Sequence, residues 1–469
     1  MSEKEKIATI NGTATEMETF LPKDNSATNG VTKYKIKGED FEAAIHEFDP
    51  FKARDLEHPV SNLDTLTHLL KASLGTGILS MPMAFASSGL VMGIFSTIMV
   101  SVICTHCSYI LVVCAHELYR RSGKTQMSFA EVAEEACKNG PKWARPFAEP
   151  ARHTVLIGLF VTYFFTCSCY SVIMANSINY VLEPYMEVNI RLTIAALLIP
   201  LILLAYVPNL KYLAPCSMIA NVCMGIGLAI TFYYLVTDIP PITDRRMVGE
   251  VTTLPISVAI TIFAIEAIGV IMPLENHMST PQKFTGICGV LNQGMSFVTL
   301  AYILLGFFGY LRYGDQTADS ITSNLPKDAI ASKAVNILVA IAVFFTFGLQ
   351  FYVCLDIAWN GIKEKCTKHP TLSQYGLRTI MVIVCVGLAI AVPTIVPFVG
   401  LIGAFCFSIL GLMVPVAIEI ITFWGKGFGP GNWKIFKNII IVATGILALI
   451  FGSKSSIEAI IKLYVPAEQ

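Results

Sequence analysis

Residues 68–82 read HLLKASLGTGILSMP. The run sits inside an apolar stretch, yet it carries His68, Lys71, two glycines two apart (Gly75 and Gly77) and Pro82. Glycine weakens a helix interior and proline removes one of its hydrogen bonds. A segment that keeps all of these residues is therefore expected to break, and the break needs a purpose.

The composition says where the break lies. The chain has 469 residues, of which 54% are hydrophobic and only 14% charged. Its mean hydropathy is +0.63. Soluble chains carry about 25% charged residues. This deficit, with repeated apolar runs near 20 residues, indicates an integral membrane protein. The formal net charge is zero, so there is no nucleic-acid footprint. Residues 1–58 are rich in Lys, Glu, Asp, Thr and Asn, have no apolar run, and are expected to form a disordered tail. No apolar h-region follows the N-terminal charges, so a cleavable signal peptide is not expected.

Eleven apolar segments follow, near 62–86, 89–118, 153–182, 191–207, 213–236, 255–274, 288–310, 332–360, 377–395, 397–423 and 436–452. They give a transmembrane domain over 59–452 and a short tail over 453–469. Strand alternation is absent, which argues against a β-barrel and for an all-α fold. Lys and Arg concentrate on the cytoplasmic side of membrane proteins. With the N-terminus inside, the inner loops hold sixteen and the outer segments eight, and the tail adds eight more inside. An odd span count then puts the C-terminus outside. Merging the ninth and tenth spans, joined by Pro393-Thr394-Ile395-Val396-Pro397, would reverse its side. The N-x-[ST] sequon at Asn11 falls in the inner tail. All thirteen cysteines fall in spans or inner segments, so no disulfide is expected.

The sixth span carries a second interruption, FAIEAIGVIMP at 263–273, with Gly269 followed by Pro273 as Gly77 is followed by Pro82. The two spans run in opposite directions. Broken backbone at membrane depth is tolerated where it lines a cavity. Matching breaks in oppositely oriented halves indicate an inverted-repeat transporter of five plus five spans, with one extra, and a site at midplane. Half-helix N-termini offer free N–H groups to a carboxylate, and half-helix C-termini offer free carbonyls to an ammonium. An α-amino acid carries both groups on one carbon. Gly75, Thr76, Gly77, Phe263, Ala264 and Glu266 are the candidate ligands at the breaks.

The runs TLTHLLKASLGTGILSMPMAFASSGL, HCSYILVVCAHELYRR and IFAIEAIGVIMPLENHM resemble the proton-coupled amino acid transporters of the amino acid/auxin permease superfamily. The resemblance covers roughly residues 60–452. It implies a LeuT-like fold of eleven helices and proton symport of small neutral amino acids, with the proton as coupling ion and no other cofactor. Ala72-Ser73 and Ala267 stand where relatives often carry Gly-Asn and Gly, which bears on pocket size. Tyr170 matches a family tyrosine and either caps the bound carboxylate or packs as a buried aromatic. His68 matches a family histidine implicated in coupling.

Ionisable groups within spans point to function. Asp64, His68, Lys71 and Gly75 share one helical face leading to the first break. Lys71 is either a fixed charge held by carbonyls of the break or a side chain snorkelling to the interface. Glu266 is either a structural carboxylate on freed N–H groups or a proton carrier. His68 lies about two turns, roughly 10 Å, before Gly75. Histidine titrates near physiological pH unaided, which makes His68 the first candidate for coupling and His106 the second. The run Cys104-Thr-His106-Cys107 resembles half a zinc site, but a structural site needs four ligands, and metal is not expected. Asp356 and Glu419, near inner helix ends, suit interface or gate roles.

An enzyme is not indicated, because H-E-x-x-H, G-x-S-x-G and Walker motifs are absent. Two alternatives to proton symport stay open: an amino-acid sensor with little flux, and a sodium-coupled or uncoupled carrier. A channel suits paired breaks less well. With no sorting signal evident in the tail, the plasma membrane is favoured over a lysosomal or endosomal membrane.

Overall fold

The protein is described by a computed structural model covering residues 49–464, apart from 55, 57, 58, 208, 209 and 366–368. Among these residues the chain is helical. Nine helices are long and apolar enough to cross a membrane, or ten when one bent pair counts as a single span. A shorter apolar stretch, Ile190–Ala205, stands at the expected fourth span.

The bent pair is the first span. Helix α1 (Asn62–Ser73) starts at Ser61, whose hydroxyl accepts the Asp64 N–H at 3.2 Å, and it ends at Leu74. A 3₁₀ turn, Thr76–Ser80, follows, and α2 (Met81–Ser88) restarts with Pro82 in its first turn, where its missing N–H costs nothing. The two halves are bent by 46°. Helices α3 (Leu90–Ser122), α5 (Ala148–Leu182), α6 and α7 (Ile190–Ala196 and Leu198–Ala205) and α8 (Leu210–Val236) complete the first five segments. Between α3 and α5 lies α4 (Phe129–Lys138), a short amphipathic helix started by a Ser128–Glu131 capping box.

The sixth span consists of α9 (Leu254–Ile265) and α10 (Ile268–His277), interrupted at Glu266 and Ala267. The break therefore precedes Gly269, which lies inside α10, as does Pro273. After it come α11 (Val290–Tyr313), α12 (Ile330–Ile362), α13 (Pro370–Ala391) and a tenth span of three parts. These are α14 (Ile395–Leu401), a π-helical segment (Ile402–Met413) and α15 (Val414–Phe423). The last span is α16 (Trp433–Leu447), a short π turn and α17 (Ser453–Lys462). The segment from 453 expected as a tail is thus helical as far as Lys462.

The first and sixth spans are tied together along their length. At one end Ser257 donates to the Ala84 carbonyl at 2.8 Å and Thr253 to that of Ser87 at 2.6 Å. At the other, Val60 N–H donates to the His277 carbonyl at 2.8 Å, and the Thr280 hydroxyl to Asn62 at 2.6 Å. This second end is the basic one, with Arg120, Arg121, Lys124, Lys138 and Lys426 around it.

The N-terminal segment departs from the expected tail. Residues 1–48, and with them the Asn11 sequon, lie outside the described residues. Residues 49–54, however, pack across the basic end of the bundle. The Arg54 side chain is 2% exposed and that of Glu275, its partner at 3.2 Å, 0%. Arg54 also donates to the carbonyls of Thr125 (2.9 Å), Glu275 (3.0 Å) and Asn276 (3.3 Å). His116 Nε2 and the Tyr119 hydroxyl reach the same Glu275 carboxylate, each at 2.9 Å. A cation with this many acceptors is not a solvated tail residue.

Candidate functional site

The two breaks meet. A Cβ added to Gly77 would lie 2.7 Å from the Ala264 Cα and 3.1 Å from its Cβ, so the two backbones approach closely only because residue 77 lacks a side chain. Tyr302, on α11, closes the junction. Its hydroxyl is shared between the Ala264 carbonyl, at 2.9 Å, and the Ser73 carbonyl, which end the first half-helix of each span. Both carbonyls would otherwise be orphaned in a water-poor interior. Sequence reasoning missed Tyr302, because one tyrosine in the run TLAYILLGFF reads as apolar filler.

The remaining polarity of the junction follows from helix direction. The 3₁₀ turn begins at Thr76, beside the junction, so its first N–H groups have no partner within the turn. The second half of the sixth span differs. Its first N–H, on Ile268, is taken by Glu266 Oε1 at 2.8 Å. The N-terminus open to an anion is thus that of the first span, and the C-terminus facing it is that of α9. Phe263 and Ala264 line this side, and the Phe263 ring lies 6.3 Å from that of Phe407. From α5, the buried Tyr170 brings its hydroxyl beside Thr76, with Gln350 of α12 near.

The other sequence candidates are placed as follows. Glu266 is 8% exposed, and besides capping α10 its carboxyl lies against Cys104 of α3 and Gly411 of the π-helical segment. Its Oε2 has no hydrogen-bond partner. His68 is half-buried on α1. Lys71 is exposed on α1, and its side chain makes no hydrogen bond to the break in this arrangement. His106, on α3, stacks on Tyr109 at 5.8 Å and is not part of the junction. Among the described residues no group of His, Cys, Asp or Glu is arranged to hold a metal ion. A cavity opens on the basic side of the sixth-span break, between α4, α5, α10 and α12. It is lined by Tyr163, Gly269, Pro273, Tyr352 and Asp356 among others. Gly269 therefore belongs to this vestibule, where an added Cβ would collide with the Tyr163 hydroxyl.

A bundle of five-plus-five design, with two broken helices facing each other at mid-depth and backbone groups free between them, defines a secondary transporter of the LeuT-like class rather than an enzyme. The family model for "Transmembrane amino acid transporter protein" matches residues 58–458, and the chain belongs to that family. It is 58% identical over 455 residues to "Proton-coupled amino acid transporter-like protein pathetic" of Drosophila melanogaster, covering 96% of this chain and 95% of that one. It is 25% identical to "Probable amino acid transporter skat-1" of Caenorhabditis elegans, covering 88% and 93%. Among solved structures, the inward-facing conformation of Mhp1 superposes with a TM-score of 0.51 at 11% identity, over 87% of this chain and 91% of that one, a likeness of fold.

Proposed function

We propose that this protein is a proton-driven symporter that carries small neutral amino acids across its membrane. The observation that carries the reading is the junction at Gly77 and Ala264. On one side stands the open N-terminus of the 3₁₀ turn at Thr76, suited to a carboxylate; on the other stands the C-terminus of α9, suited to an ammonium. Tyr170 and Thr76 supply hydroxyls beside the carboxylate seat. The side chains that bound the junction, Thr76, Phe263, Ala264, Tyr170, Gln350 and Tyr302, are uncharged, so they offer nothing to a charged substrate side chain. The contact of Gly77 with Ala264, walled by Phe263, favours a small one.

A neutral zwitterion is not concentrated by the membrane potential alone, so accumulation needs a coupled ion. His68, on the half-helix that ends at the break, is one titratable group whose charge would bias that half between open and closed, and Glu266, inside the second break, is another that can carry the proton itself. The closely similar Drosophila protein bears the description "proton-coupled", which agrees with this reading. The excess of basic residues in the tail and the loops on its side supports a cytoplasmic face there, with the Asp356-lined cavity as the vestibule through which substrate leaves. The plasma membrane is the favoured location.

The test is uptake by the purified protein in proteoliposomes, with a panel of amino acids and with or without an inward proton gradient. Small neutral substrates are expected to be taken up faster with the gradient. Preference for cationic or large aromatic substrates would overturn the assignment of the junction.

A further inference from the structure

The carboxyl of Glu266 is built into the break in an unusual way. One oxygen holds the first N–H of α10, at 2.8 Å, and so reports directly on whether the second half-helix is seated. The other oxygen is buried, faces Gly411, and has no oxygen or nitrogen donor; only the Cys104 thiol, a weak donor, lies beside the carboxyl. Gly411 lies in a π-helical segment, a distortion that recurs at functional sites. A side chain at 411 would occupy the space of the carboxyl. Burying a carboxylate oxygen without a donor is costly, whereas a carboxylic acid can hold a proton on that oxygen and still accept the Ile268 N–H with its other one.

The titratable groups facing Glu266 are Cys104 and Cys107 of α3, and the π-helical segment meets its carboxyl at Gly411. Beyond Cys107, toward the basic end, the interface of α3, α15 and α16 holds further polar groups. Glu419 and Lys437 are paired at 2.9 Å and nearly buried, with His106 and Cys107 in their field. His106 Nε2, Thr422 Oγ1 and both amide atoms of Asn438 are buried there without partners. Buried polar atoms are as a rule hydrogen-bonded, by protein or by water. A file of such atoms from the break to one end of the bundle is what a hydrated proton path requires. It shares no residue with the cavity at Tyr163 and Asp356.

We propose that Glu266 carries the coupled proton, and that it releases it toward the basic end along the interface of α3, α15 and α16, past Cys107, His106 and the Glu419–Lys437 pair, separately from the amino acid. The inference rests on the proton-symport reading and extends it by naming the carrier and its route. Each cycle binds one proton from the outer solution on the Glu266 carboxylate. That neutralisation allows the break to close around the substrate, and opening toward the basic end returns the same proton to water there.

The test uses full-length protein in proteoliposomes loaded with a pH indicator, alanine as the probe substrate, and an inward proton gradient. Wild type is expected to accumulate alanine above equilibrium and acidify the lumen as it does so. Absence of both in wild type would overturn proton symport itself and this proposal with it. Given a coupled wild type, Glu266→Gln is expected to bring alanine only to equilibrium, with no substrate-dependent acidification, while retaining alanine binding measured by thermal stabilisation. Full accumulation and acidification by Glu266→Gln would overturn the carrier and leave symport standing. The paired variant Glu419→Gln/Lys437→Met, which leaves the junction intact, tests the route independently of how Glu266→Gln folds. Slowed acidification with unchanged alanine affinity is expected, and wild-type acidification would overturn the route.

Discussion

Tyr302 and Ala264 are joined by a hydrogen bond of 2.9 Å, and the same Tyr302 hydroxyl reaches the carbonyl of Ser73, so one side chain of the seventh span fastens both broken helices at their meeting point. Tyr302→Phe keeps the ring and removes the tie. The loss is expected to cost about 1–2 kcal/mol in the closed arrangement, which lowers its population roughly 5- to 30-fold. Uptake should fall accordingly while the protein still reaches the membrane. Uptake at the wild-type rate would mean that the tie does not hold the breaks together.

Gly77 and Gly269 are expected to be intolerant for different reasons. Gly77→Ala drives a methyl into the Ala264 backbone, and overpacking of this kind costs about 1–3 kcal/mol. Gly77→Leu should abolish uptake. Gly269→Leu should abolish it too, by striking the Tyr163 hydroxyl in the vestibule. Only the second site offers relief. Gly269→Ala with Tyr163→Phe is expected to transport better than Gly269→Ala alone, as radiolabelled uptake would report. No such rescue is expected at residue 77, where the obstacle is backbone.

Arg54 and Glu275 make a buried pair whose disruption should loosen the basic end. Removing one partner of a buried pair costs about 3–5 kcal/mol, and the lower end is expected here because Glu275 keeps its contacts with His116 and Tyr119. Arg54→Ala should therefore lower the thermal stability and raise the labelling of a cysteine placed at Ser73 from the basic side. Arg54→Ala/Glu275→Gln should recover part of the stability. Equal stability of Arg54→Ala and wild type would show that the N-terminal segment does not latch this end.

Asp319 supplies a pH dependence outside the spans. It accepts the N–H groups of Ile395 and Val396, at 3.1 and 3.3 Å, where the tenth span begins. Burial pushes its carboxyl above the usual aspartate range, and these two N–H groups pull it only partly back. A raised folded-state value means that the folded protein binds this proton more readily than the unfolded chain. The resulting stability is fully present below the unfolded value of about 3.9 and is lost as pH rises through the folded one. Asp319→Asn should flatten this part of the melting-temperature profile, and an unchanged profile would contradict the assignment.

The fold was legible in the sequence to the extent that it follows from hydropathy and backbone punctuation. Gly75-Thr76-Gly77 marked the first break, because glycine there permits the close approach to Ala264. The second break was bracketed by 263–273, with Glu266 inside it, and the chain does open there. Gly269 and Pro273 drew attention, yet both are accommodated inside α10, with His277 Nδ1 bonding the Pro273 carbonyl at 2.8 Å, while the chain opens at Glu266 and Ala267. The candidate list held Gly77, Ala264 and Tyr170, which do come together. It lacked Tyr302, whose role depends on a partner 229 residues away. Arg54 was hidden by its polar neighbours, since composition describes a segment and not the single side chain that docks.

The central claim is that an amino acid seated at the Gly77–Ala264 junction moves together with a proton. It is tested most directly by the lumenal pH of proteoliposomes without an imposed pH gradient, when alanine is added outside. The protein is expected to acidify the lumen on alanine addition, in step with alanine uptake, and Gly77→Leu to do neither. Alanine uptake by the wild-type protein with no change in lumenal pH would contradict the account.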